Sequence, residues 1–460
     1  MIQSPGKTED PRRVLAGGDA GRRRLPLLGA FCLFLSTIEY LIPKPLPFMR
    51  IGLANLPLML ALDIFPFGAY LLLVLIKVLG QAIVTGTLFS YVFLFSFAGS
   101  FVSALSMFAL RRFPGPERLS LAGIGAAGAL LSNGTQLILA RFLVFGPGVQ
   151  FLIPPFLAAG LVTGLALGLF CERFRARSRW YSSRLNQPSP PWSLPRAAGS
   201  WVLSPLANQR GPEWRRKGEP PGILPEAPVT HLRRKAFAGF LEDKGPAAAG
   251  LLMGAAFLLN PSLPFRVVQF LFFWFCSLAS GRKQRPLLTL SVIAAVVLVN
   301  LLAPYGRVLA EIGFLRITGG SLAAGLLKGI SLEGLLMLSG AAISSGALDS
   351  LYRPRPGSGG VTASGLAGGP GNSGFGALLG ESLRLFGKIG EKKGRVKVKQ
   401  VIEGIDTLLL ELEDEDAKVE DAGKPGAGGG ERPGKNRGRL LLFLGTPLVI
   451  ALTLLPLFRG

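Results

Sequence analysis

The sequence predicts an all-α, polytopic integral membrane protein: a six-helix bundle followed by a second bundle of about four to five transmembrane helices. Three observations predict it. Mean hydropathy is +0.44, although the 460-residue chain carries a formal net charge of +23. Apolar stretches of spanning length recur along it. The positive charge is confined to short clusters between those stretches, the pattern of basic cytoplasmic loops. Such charge faces anionic lipid rather than nucleic acid, for which no recognition motif is present.

The candidate spans of the first half run over 25–42, 51–66, 67–88, 90–110, 119–144 and 149–171. Asp63, Pro66 and Gly68 separate the second from the third. The N-terminal tail, residues 1–24, ends in Arg22–Arg24 against the first apolar run. More spans follow, so an uncleaved first helix with a cytoplasmic N-terminus is expected. Residues 25–175 form the first membrane domain, and a Pro-, Arg- and Ser-rich polar linker covers 176–245. The second membrane domain, 246–345, holds candidates at 246–260, 264–280, 287–303 and 322–345. Residues 346–438 are a cytoplasmic segment, first low in complexity and then charged and helical over 378–420, before a C-terminal helix within 439–460. This count places Arg22–Arg24, the loop RRFPGPER (111–118), the basic run after Glu172, GRKQR (281–285) and the tail before Leu440 on the cytoplasmic side. Lys44, Arg50 and Arg141 fall on the outer side, where an anionic ligand would account for them as well as an interfacial role does.

Polar side chains within spans are expensive unless they face a bundle interior or a cavity. The first domain carries Glu39, Asn55, Asp63, Lys77, Gln81, Asn133, Gln136 and Arg141. Lys77 and Gln81 are four apart and Asn133 and Gln136 three apart, so each pair shares a helix face. Two such faces meeting would line a small-molecule pocket. Interhelical hydrogen bonding uses the same residue types. The candidate ligand-binding set is Arg50, Asn55, Lys77, Gln81, Asn133 and Gln136. Gly160, Gly164 and Gly168 repeat every four residues, a close-packing stripe for another helix of the chain or for a partner subunit.

Catalytic and metal motifs are not found. Cys32, Cys171 and Cys276 lie far apart in apolar runs, as inert buried thiols do. A single histidine, His231, excludes a His-based metal cluster within one chain and leaves no plausible Ser-His-Asp set. GGERPGKN (429–436) has phosphate-loop spacing, but Asn436 stands where a Ser or Thr would meet magnesium. The acidic run ELEDEDAKVED (411–421) lacks the paired aspartates of prenyl synthases. No enzyme activity, metal or cofactor is expected.

The stretches RIGLANLPLMLAL (50–62), IKVLGQAIVTGTLFS (76–90), FSFAGSFVSALSM (95–107) and SNGTQLILA (132–140) resemble the Gx transporter family, also labelled heptaprenyl diphosphate synthase component I. This chain has Ser132 where relatives tend to show His before the Asn of the fifth helix. The family is similar to the substrate-capture (S) components of energy-coupling factor transporters. The resemblance implies a six-helix S-like bundle with a ligand site near the outer face. Residues 285–344, with LRIT at 315–318, more loosely resemble the transmembrane T component, without its Ala-Arg-Gly signatures; SLRLFGKIGEKKGRVKVKQVIEGIDTLLLELED (382–414) occupies the comparable place.

The expected function is capture of a small vitamin-like or isoprenoid/quinone-precursor substrate in a bacterial inner membrane, energised by separate ABC-type ATPase subunits. The alternatives are a membrane component of polyprenyl diphosphate synthesis and a non-transporting membrane scaffold.

Overall fold

The structure, a computed structural model, describes residues 11–41, 52–113, 119–185, 245, 247–282, 284–313, 315–346, 375–392, 401–421 and 435–455. Lys44, Arg50, His231 with the rest of 186–244, the low-complexity 347–374 and residues 429–434 lie outside the described residues. The described chain is helical apart from one hairpin. Five helices in it are long and apolar enough to cross a membrane, and four shorter apolar helices accompany them.

In the first bundle, α1 (Pro11–Leu41) runs parallel to α3 (Phe67–Thr85): Gly29 meets Ile76 and Gly80 meets Leu33. The chain between them must therefore return to its starting end. The expected span at 51–66 is not one helix. Gly52 takes a left-handed φ of 88°, a 3-10 turn covers Leu53–Asn55, and α2 spans only Leu56–Ala61. Pro57 opens α2, and Pro66 caps α3 with extended backbone, so helix cannot propagate through either junction. α3 ends at Gly86, whose φ of 76° needs a residue without a Cβ.

α4 (Tyr91–Arg112) carries Arg111 and Arg112 in its last turn, where they meet the helix dipole favourably. The Ser120 hydroxyl caps α5 (Leu121–Ala140), accepting from the Gly123 amide at 3.1 Å. A π turn beginning at the exposed Arg141 and a 3-10 segment (Gly146–Phe151) lead into α6 (Ile153–Arg177). Gly160, Gly164 and Gly168 all face α5. A Cβ on Gly164 would lie 2.6 Å from the Gly125 carbonyl oxygen, and one on Gly168 2.5 Å from that of Leu121. The stripe is thus spent inside the bundle. The expected linker begins later than 176, because α7 (Arg179–Leu185) follows at once and buries Trp180 and Tyr181.

The second bundle comprises α8 (Ala247–Leu259), α9 (Leu263–Ala279), α10 (Pro286–Leu301) and α11 (Gly319–Ser344). An antiparallel hairpin of β1 (Val308–Ile312) and β2 (Leu315–Thr318), not foreseen in the sequence, joins the last two. Gly325 and Gly329 bring α11 against α10 at Val297 and Ile293.

Two further helices, α12 (Phe375–Lys392) and α13 (Val401–Asp421), correspond to the charged helical stretch. They are not separate from the membrane domain. Leu379, Leu385, Ile389, Leu409 and Leu412 belong to the same apolar core as α1, α2 and α3. The last helix, α14 (Lys435–Leu454), is fixed to α9 by Gln269, which donates to Val449 O at 2.9 Å and Thr453 Oγ1 at 3.0 Å.

The α10–α11 pair lies across one end of the first bundle. At one end of α10, Asn300 donates to Val144 O at 3.2 Å; just before its other end, Arg282 donates to Thr85 O at 2.8 Å. Ser339 of α11 accepts from the Phe89 amide at 2.9 Å. Thr85 and Arg111 stand at opposite ends of α4's length, about 30 Å apart at helical rise. Counting spans placed Arg282 and Arg111 on one side; the structure corrects this. The reason is local: the guanidinium finds a C-terminal carbonyl of α3 and a gap kept open by Gly86 and Gly340, where a side chain would collide with it.

Gly164→Ala forces backbone apart between α5 and α6 and is expected to destabilise by about 1–3 kcal/mol. Gly134→Ala, with no atom within 4 Å of the added Cβ, leaves stability unchanged or slightly raised. Thermal unfolding of the two detergent-solubilised variants checks the contrast; equal melting would remove the close-packing role of the stripe.

Candidate functional site

α4 threads the first bundle with a serine stripe, Ser96, Ser100 and Ser103, at spacings of four and three on an otherwise aromatic helix. Ser100 faces α3 at Lys77, a lysine that is only 1% exposed. An ammonium buried so deeply requires oxygen partners. It donates to Asn55 Oδ1 and, at 3.4 Å, to Ser100 Oγ. Asn55 precedes α2 without capping it, so its carboxamide oxygen is available to the lysine. The broken second crossing thereby brings an amide to the bundle centre that an unbroken helix would have engaged differently.

α5 and α6 supply the opposite wall. Asn133 donates to Phe156 O at 2.8 Å, and Gly160 clears the space its amide occupies. Glu39, Gly52, Asn55, Lys77, Ser100, Ser132, Asn133, Gly160 and Thr163 surround one enclosed space. Its volume is about 20 Å³, room for a water molecule and far less than a vitamin needs. This conformation has no room for such a ligand.

Of the six residues singled out in the sequence, Asn55, Lys77 and Asn133 line the cavity. Gln81 is half-buried, one turn along α3 from Lys77, and does not line the cavity. Gln136 is fully buried one turn beyond, wedged against Gly99; its amide donates to Ser132 Oγ at 3.1 Å and its Oε1 has no partner among the described residues. Arg50 lies outside the described residues. Sequence reasoning noted Ser132 only as standing where relatives tend to show His, and passed over Ser100 and Thr163. The stripe on α4 was a usable signal for Ser100; Thr163 gave none beyond its neighbour Gly164.

A second polar cluster closes the opposite end of the bundle. Asp63, just past α2, accepts from Arg111 Nε at 2.8 Å and pairs with Arg175 Nη1 at 3.0 Å, tying the second, fourth and sixth crossings together. The Tyr181 hydroxyl adds a bond to Asp63 Oδ2 at 3.2 Å, and the Arg175 guanidinium lies over the Tyr181 ring. Burial first, and the Asp63 carboxylate second, push the Tyr181 phenol above its ordinary range, so its hydroxyl remains a donor. Asp406 of α13 holds α7 in place, accepting from Trp180 N at 3.0 Å, Arg179 N at 3.2 Å and the Ser178 hydroxyl. Nothing in the sequence pointed to Asp406, which acts across more than 220 residues.

Residues 28–174 match the sequence profile of heptaprenyl diphosphate synthase component I, and residues 246–345 match a domain of unknown function (DUF8519). No curated protein and no solved structure matches the chain. The first bundle is thus similar in sequence to heptaprenyl diphosphate synthase component I, within a predominantly helical chain that has five helices long and apolar enough to cross a membrane among its described residues.

Proposed function

We propose that this chain is a membrane transport protein that captures a small substrate in the cavity around Lys77. A partner ABC-type ATPase would energise it. The observation that carries the reading is the buried ammonium. A charge at the core of an apolar bundle is costly even when hydrogen-bonded, and its retention points to a functional use; Lys77 is surrounded by amides and hydroxyls able to fix a ligand's orientation. Lys77 would meet an anionic or acceptor group, and Asn55, Ser100 and Asn133 would direct it. Glu39 also lines the cavity.

Capture requires two states with different affinity. The conformation described above is one of them, and the other opens between the segment before α2 and the α5–α6 wall. The substrate class consistent with this chemistry is a vitamin-like molecule or an isoprenoid or quinone precursor. The bacterial inner membrane is the proposed location, with the N-terminus, α12 and α13 on the cytoplasmic side, where an ATPase would dock. The second reading, a membrane component of polyprenyl diphosphate synthesis, is favoured by the profile matched at residues 28–174.

Lys77→Met and Asn133→Ala each remove a hydrogen-bonding group from the cavity. Each is expected to lower the amount of small molecule retained by the purified protein about tenfold or more. Gly160→Ala reaches the same result indirectly, by displacing the Asn133 amide. Mass spectrometry of small molecules extracted from equal amounts of monodisperse protein makes the comparison. Retention equal to wild type in folded Lys77→Met and Asn133→Ala proteins would refute the site.

A further inference from the structure

The cavity and the C-terminal helices are joined by one short piece of chain. α2 is six residues long and every one of them is buried. It is isolated from its neighbours by the left-handed Gly52 on one side and Pro66 on the other. Both flanking junctions interrupt the helical hydrogen-bond ladder, so the piece is not held rigid by continuous helix on either side. Its leading residue, Asn55, holds the Lys77 ammonium. Its trailing end carries Asp63, eight residues on, or about 12 Å away at helical rise.

Asp63 has three partners of two kinds, and they lead to different places. Arg111 and Arg175 fasten it to α4 and α6, within the bundle. Among the described residues, the Tyr181 hydroxyl is its direct hydrogen bond to α7. The position of α7 is set in turn by Asp406, which takes the Arg179 and Trp180 amides and the Ser178 hydroxyl, while Ser178 Oγ accepts from the Tyr181 amide at 3.0 Å. Hydrogen bonds weaken steeply with small changes of distance and angle. A displacement of α13 is therefore felt at Tyr181, then at Asp63, and then along α2 at Asn55.

We infer that Asp406 and Tyr181 are positioning residues for the cavity, acting through α2, and that α13 is linked to the Lys77–Asn55 contact by this route. The use of the link in substrate release rests on the capture reading above; the link itself is measured without a ligand.

A native reporter lies at the joint. The Cys171 thiol of α6 is fully buried against Leu56 O, the first carbonyl of α2, at 3.9 Å. Lifting α2 uncovers it. Cys276 is buried in the second bundle, away from the route, and Cys32 in α1. The full-length protein in detergent is treated with N-ethylmaleimide and the labelling of each cysteine followed by peptide mass spectrometry. Tyr181→Phe, which removes one hydroxyl and keeps the ring, and Asp406→Ala are each expected to raise the Cys171 rate about tenfold through local opening, with Cys276 unchanged. Asp406→Asn keeps one acceptor oxygen, for the Trp180 amide and the Ser178 hydroxyl, but sets its NH2 against the Arg179 amide, and is expected to fall between wild type and Asp406→Ala.

Unchanged Cys171 labelling in both variants overturns the inference. So does a rise in all three thiols together, which would mean a general loosening of the protein rather than a directed link. Faster Cys171 labelling in a protein whose wild-type extracts contain no small molecule supports the link and counts against the capture reading alone.

Discussion

A buried ammonium needs oxygen atoms around it, and the architecture of the first bundle follows from where those atoms come from. Lys77 is held by Asn55 and Ser100. Asn55 reaches it because the second crossing is broken into a 3-10 turn and a six-residue helix. Ser100 reaches it because α4 lines up serines on one face. The far wall approaches closely because α6 presents glycines to α5, and Gly160 admits the Asn133 amide. In hydrocarbon none of these groups could turn to solvent instead, so each is tied to the others.

The same broken segment has a second duty. Its trailing Asp63 pairs with two arginines, Arg111 and Arg175, where three crossings end. A carboxylate shared by Arg111 and Arg175 is worth more than an exposed surface pair because both guanidiniums are mostly sheltered and geometrically fixed. One short stretch, from Gly52 to Phe65, thus carries a cavity-lining amide at one end and an ionic tie of the bundle at the other. Packing of α12 and α13 onto the same core places the C-terminal half of the chain in mechanical contact with that stretch.

Much of the fold was legible because hydropathy and helix length are local properties. The apolar runs gave α3, α4, α5, α6 and α11 with small errors at their ends. The boundary at Pro66 was read, but the run at 51–66 misled because hydropathy does not register the left-handed Gly52 or the helix start at Pro57 as interruptions. Periodicity placed Lys77 and Asn133 on inward faces, but the neighbouring Gln81 and Gln136 sit a turn beyond the cavity; one helical turn is about 5.4 Å, enough to leave a small site. Gly160, Gly164 and Gly168 were readable as a stripe, though not which helix they meet. The Arg282 contact with α3 and the Asp406 hold on α7 were illegible, since each joins residues roughly 200 positions apart and depends on how separate units dock.

The central claim is that this bundle captures a small molecule and hands it on with the help of an ATPase. The most direct measurement is gentle detergent purification of the full-length protein from its native host, with mass spectrometry of the proteins and small molecules that accompany it. The account predicts ABC-type ATPase subunits together with a small ligand of a size and polarity suited to the Lys77 cavity. Recovery of prenyl synthase or redox subunits in their place, with no ATPase and no ligand, would contradict it.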